Sequence, residues 1–100
     1  MMSTTNADTL VAPARITAAT REPFRKSSLE FLVQAHQRGA SAVTLDLGAT
    51  EDVDASGLGL LVHLQKRSQE IGIPLRLVRV PKDVRHVLVL TRLEHLFDID

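Results

Sequence analysis

No cysteine, tryptophan or tyrosine occurs in this chain, and three phenylalanines are its only aromatic residues. Without cysteine there can be no disulfide, thiolate metal ligand or cysteine nucleophile. So few rings leave no platform on which bases or sugars could stack. Neither sign of charge prevails: 12 Lys and Arg offset 12 Asp and Glu. The basic residues are scattered, not gathered in a stripe, which argues against nucleic acid or an anionic membrane as a partner. No apolar run approaches the roughly 20 residues of a membrane span, so no membrane insertion is expected. The start, Met1 to Thr9, has neither the basic opening nor the apolar middle of a signal peptide. It is expected to be a flexible tail over residues 1–9, with one domain over residues 10–100, located in the cytoplasm.

What the chain does contain is an alternation of short strand-like and longer helix-like segments. Leu10-Val11-Ala12 ends at Pro13 and predicts an edge strand, with a second extended piece through Arg15-Ile16. Phe24, Ser28, Phe31, Leu32 and Ala35 recur at helical spacing before the stop at Gly39; Thr17 or Thr20 can cap this helix, and Pro23 falls in its tolerant first turn. Val43, Leu45 and Leu47 alternate with Thr44 and Asp46, the period of a strand with one buried face. A second helix, capped by Asp54, buries Leu60, Leu61, Leu64 and Ile71 and stops at Gly72. Leu75 to Val80 reads as a strand, and Pro81 opens a third helix with Val84, Val87, Leu88 and Thr91 on one stripe. Leu96 to Ile99 closes the chain as an edge strand or a packed tail. The fold class is therefore α/β: one domain with a mainly parallel, mixed sheet of about four to five strands and helices mostly on one face.

The most informative stretch is Asp54-Ala55-Ser56-Gly57-Leu58-Gly59, between the Val43 strand and the second helix. Asp54 can accept from N–H groups two or three residues on, which fixes the helix start. Ser56 then falls in the first turn, where free N–H donors and the positive helix end favour an anion. Glu51 and Asp52 lie just before it. Gly57 and Gly59 leave the surface bare, or else let the helix pack closely on the sheet; each costs roughly 1 kcal/mol against Ala in a helix and so needs a reason. Asp capping after a βα loop is common, so spacing alone does not separate a functional serine from ordinary loop chemistry.

Other chemistries lack parts. Ser56 as a hydrolase nucleophile has no paired base, since His36, His63, His86 and His95 lie on helices or the C-terminal loop. No Gly-Lys-Ser/Thr ending follows the glycines, so no phosphate-cradling loop is present. No two histidines have the four-residue spacing of a helical metal pair. The chain is expected to be no enzyme and to carry no cofactor or metal.

From Val43 to Ile99 the chain resembles the STAS domain of bacterial anti-sigma factor antagonists. The resemblance rests on the strand Val43-Thr44-Leu45-Asp46-Leu47, the signature Val53-Asp54-Ala55-Ser56-Gly57-Leu58-Gly59, the strand Leu75-Arg76-Leu77-Val78, and Val84, Val87 and Leu88 running on into Leu93-Glu94-His95-Leu96-Phe97-Asp98-Ile99. It implies partner switching: the unphosphorylated protein binds an anti-sigma factor that is also a serine kinase, which phosphorylates the signature serine, here Ser56, and a phosphatase restores it. The docking surface implied lies over Asp52, Asp54, Ala55, Ser56, Gly57 and Leu58. Many relatives carry a second hydroxyl where this chain has Ala55, so Ser56 is the only acceptor in the motif. The usual Gly-x-Leu-Asp appears as Ala14-Arg15-Ile16-Thr17. Within the same fold the alternative is a STAS subunit of a membrane transport complex, an assembly part without phosphorylation. A receiver domain phosphorylated on Asp46 fits less well, because it needs an early acidic pair that this chain lacks.

Overall fold

Alternation decides the sheet. In β3 (Ala42–Asp46) Val43 and Leu45 are buried while their neighbours are half-buried, and Leu75 and Leu77 repeat the pattern in β5 (Leu75–Val78). The computed structural model describes residues 7–100. It joins these strands to β1 (Ala7–Val11) and β6 (Asp98–Ile99) in the order β1-β3-β5-β6, with every pairing parallel. The register sets Leu10, Leu45, Leu77 and Ile99 in one row.

Each crossover steps to the next strand in the same direction. A right-handed connection repeated in one direction returns every helix to the same face. Hence α1 (Arg21–Gln37), α2 (Ala55–Ile71) and α3 (Lys82–Leu90) share one side, as the clean alternation in β3 predicts. The inward stripes are Phe24, Ser28, Leu32 and Ala35 on α1, Leu60, Leu61 and Leu64 on α2, and Val84 and Leu88 on α3. The opposite face holds Thr44, Arg76 and Val78, all half-buried, with Arg76 bridged to Asp98 at 3.2 Å. Among the described residues the strand order never reverses, so their sheet has no switch-point crevice of the kind that receives nucleotides in doubly wound folds.

Several boundaries differ from the sequence reading. Ala7 to Thr9 of the expected tail belong to β1, paired with Ala42 to Thr44. Backbone pairing holds this polar edge, and the charge of Asp8 is met by Arg38 just past α1. Residues 1–6 lie outside the described residues. A second ribbon pairs the expected extended piece, β2 (Arg15–Ile16), with β4 (Asp52–Val53), which the sequence does not signal because a two-residue strand carries no period. Thr20 does stand at the α1 cap, but its hydroxyl donates to Arg15 O at 2.8 Å and accepts from Thr17 N at 3.0 Å instead of capping the helix. β5 ends at Val78, short of Val80, because Arg79 takes a left-handed φ of 53°. Its Nε donates to Asp46 at the end of β3, and its guanidinium lies over Gly48, where a Cβ would come within 2.6 Å of it.

Candidate functional site

The signature stretch sits where β4 hands over to α2. Asp54 is the N-cap, with extended backbone, and its Oδ1 accepts from Gly57 N at 2.9 Å. Its main-chain oxygen accepts the first helical bond, from Leu58 N, also at 2.9 Å. Ser56 is thus the second residue of the helix and is half-buried. The side chain lies at the amino end of α2, where a negative charge is favoured by the dipole and by N–H groups that have no helical acceptor.

The other Asp54 oxygen does something the sequence does not announce. Oδ2 accepts from Ala18 N at 3.0 Å, tying the loop between β2 and α1 to the start of α2. The two partners are 36 residues apart, and a backbone donor in a loop leaves no trace in residue type. The Ala18 N–H first, and then that of Gly57, hold the Asp54 carboxyl below its ordinary value. The Arg79 guanidinium and then the Gly48 N–H do the same for Asp46. Asp46 occupies the last position of β3 with its carboxylate fully committed to these contacts, so it is a strand-end latch.

Gly57 and Gly59 separate cleanly. A Cβ on Gly57 would lie 1.8 Å from the Ile16 carbonyl oxygen, so this glycine lets α2 press against β2. A Cβ on Gly59 would meet nothing within 4 Å. The bare surface expected at both positions therefore exists at Gly59 alone. Leu58 is buried with Gly57, so of the residues expected in a docking surface Asp52, Asp54 and Ala55 are exposed and Ser56 is half-exposed. Gly57 and Leu58 fix the backbone beneath. The structure adds a cleft of about 120 Å³ between β4 and α3, lined by Glu51, Asp52, Val53, Asp83, Val84 and Val87. The Asp83 side of that cleft is not legible in the sequence, where its position marks only a helix start. The described residues include no group of acidic or histidine side chains placed to hold a metal, and no helix in them is long and apolar enough to cross a membrane.

Both depressed carboxyls have a consequence for acid stability. A group whose folded pKa lies below its unfolded value, near 3.8 for Asp, contributes in full above that value. The contribution disappears as the pH falls through the lower folded value. Asp54→Asn keeps a capping side chain but removes the charge. Urea midpoints at pH 7 and pH 3 are therefore expected to lie closer together in the variant than in the wild type. An unchanged gap would remove Asp54 from the account.

The model of the STAS domain family matches residues 3–100. Among solved structures, the chain is similar to the crystal structure of a candidate anti-sigma factor antagonist from Thermotoga maritima, with 26% identity over 94% of this chain and 78% of that one, at a TM-score of 0.78. An NMR structure of the same Thermotoga protein aligns with 23% identity over 95% of this chain and 74% of that one, at a TM-score of 0.77. No curated protein sequence matches the chain significantly. With nearly its whole length matched, and with the capped helix and parallel sheet described above, the chain belongs to the STAS domain family.

Proposed function

We propose that this protein is an anti-sigma factor antagonist that works by partner switching in the cytoplasm. In the unphosphorylated state it binds an anti-sigma factor that is also a serine kinase. Phosphorylation of Ser56 by that kinase ends the complex, and a serine phosphatase renews it. The observation that carries this reading is the place of Ser56: second residue of α2, half-exposed, beside a cap that already stabilises negative charge. The similarity to a candidate antagonist from Thermotoga maritima supports the same direction.

Phosphate at this position adds about −1.5 to −2 of charge at neutral pH. The positive end of α2 favours that charge, with the Gly57 N–H already given to the Asp54 carboxylate. Asp52, Asp54 and Ala55 at the exposed mouth, with Gly59 one turn along, form the contact surface for the kinase. Gly57 and Leu58 keep that surface rigid from below.

The test is incubation with ATP and each serine kinase encoded near this gene, followed by mass mapping of the modified peptide. A single acid-stable phosphate on Ser56, absent from Ser56→Ala, is the expected result. Phosphate on another residue, or recovery of transporter ATPase subunits in place of a kinase in pull-downs, would overturn the proposal.

A further inference from the structure

The three long helices do not end alike. α1 and α2 are followed by glycines in the left-handed region, Gly39 at φ 77° and Gly72 at φ 80°, whereas the turn after α3 puts Arg92 there, at φ 60°. Its backbone bonds are those of an ordinary helix stop: Arg92 N donates to Val89 O at 3.0 Å and Leu93 N to Leu88 O at 2.9 Å. Glycine fills such a position without steric cost, and arginine does not. Arg79, also left-handed, is held by Asp46, but Arg92 is exposed and belongs to no ion pair among the described residues. A cation that only balanced the helix dipole could sit in the last turn of α3 without strain. That turn has no basic residue and exposes Val89 and Leu90 instead.

Leu90 is 68% exposed, more than any other large apolar residue described, with Val89 at 43% beside it. Leu96, in the short helical turn Glu94–Leu96 that packs against α3, adds a third at 37%. Helical spacing sets the exposed Arg85 one turn before Val89 on the same outward face. From Val84 to Leu93 the chain has two arginines, neither in an ion pair, and no acid. Basic residues that look scattered in the sequence thus border one apolar patch, and apolar exposure grouped in this way marks a contact surface. We infer that the outer face at the end of α3 docks an acidic, apolar segment of a partner protein. Arg85 and Arg92 take its carboxylates, and Val89 and Leu90 take its apolar side chains. Arginine suits that task because its planar fork meets a carboxylate with two bonds. Two arginines on a chain of zero net charge would hold a lipid surface only weakly, and residues 1–6 contain no acid that could fill the site from within. The surface is also remote from Ser56. α2 begins at the carboxyl ends of the parallel strands, whereas α3, running back against them, finishes at their amino ends. A partner here therefore leaves the start of α2 free, and the inference does not rest on the proposed switch.

The probe is a short amphipathic peptide with leucines on one face and glutamates on the other, titrated into the isotopically labelled full chain and followed by NMR. Its leucine–lysine counterpart and phosphatidylglycerol vesicles are the comparisons. The leucine–glutamate peptide is expected to shift the amides of Val89 to Leu96 in a saturable way, and the other two are not. Arg92→Gly and Leu90→Ser should each weaken that binding at least about fivefold. Arg92→Gly should at the same time raise the urea midpoint, because glycine relieves the left-handed turn. An arginine kept only for folding would not give that pair of results. The inference is overturned by the absence of a saturable shift, by an equal or stronger response to the lysine peptide or the vesicles, or by full binding in either variant. Self-association of the chain that shifts the same amides without peptide overturns it too.

Discussion

Gly57→Ala is expected to destabilise the fold by roughly 3–5 kcal/mol, a large share of the ~5–15 kcal/mol that holds a typical domain together. The added Cβ would sit 1.8 Å from the Ile16 carbonyl oxygen and 2.8 Å from its carbon. Both are backbone atoms, so no side-chain rotation relieves the contact. Ile16 is itself fully buried in β2 and its oxygen already accepts from Asp54 N at 3.3 Å. The start of α2 must therefore lift away from β2. That movement strains the Asp54 cap and the tie to Ala18 together. Urea denaturation measures the loss directly, provided the slope with denaturant is unchanged. A loss under about 1 kcal/mol would show that the helix can shift freely, and the close approach would lose its meaning.

Gly59→Ala makes the opposite case two residues on. Its Cβ enters open space, so only helix propensity acts, and the variant is expected to be more stable by about 1 kcal/mol. A glycine kept at such a position costs stability without helping the packing. Under the proposed function it keeps the kinase-facing surface flat, and Gly59→Ala should then weaken kinase binding while raising the urea midpoint. If binding is untouched, Gly59 lies outside the contact.

The two glycines also show where sequence reasoning stops. Both stand in the same motif and look alike in sequence, but one is fixed by a carbonyl from a strand roughly forty residues earlier and the other by nothing in the fold. Legible in advance were features written in local spacing: the Asp54 cap, the stop at Gly72 with its φ of 80°, the α2 stripe of Leu60, Leu61 and Leu64, and the alternation in β3. Contacts between distant backbone groups were not, as with the Asp54–Ala18 bond and the β2–β4 ribbon. The early end of β5 belongs with these. Nothing about Arg79 as a residue predicts a left-handed φ; it takes that conformation because Asp46 awaits its guanidinium across the sheet end. Leu58 is a different case: it is assigned to the docking surface by the resemblance, whereas its position three residues before Leu61 already puts it on the buried stripe of α2.

Ser56→Asp, and more strongly phosphorylation of Ser56, is expected to weaken kinase binding at least tenfold while leaving the fold intact. The argument is one of unequal cost. On its own domain a new anion meets the positive end of α2, a place where acidic groups gain about 0.3–1 kcal/mol. Against a docked partner it must lose its water. Two unit charges of the same sign ~6 Å apart at an effective dielectric of ~20 repel by roughly 3 kcal/mol before salt screening, and half of that is already a tenfold change in affinity. A carboxylate carries less charge than a phosphate and sits nearer the backbone, so Ser56→Asp should give a smaller loss than the phosphoprotein. Ser56→Ala should bind as well as the wild type and resist release by ATP. Calorimetric titration of the three forms against the kinase supplies the order, and thermal melts supply the check on folding. Equal affinities for Ser56→Ala, Ser56→Asp and the phosphoprotein, all with unchanged melting, would remove Ser56 from the switch even if it is the residue modified. A large drop in melting temperature for the phosphoprotein would point the other way, to a helix start that cannot hold the charge, and release would then come from local unfolding at α2.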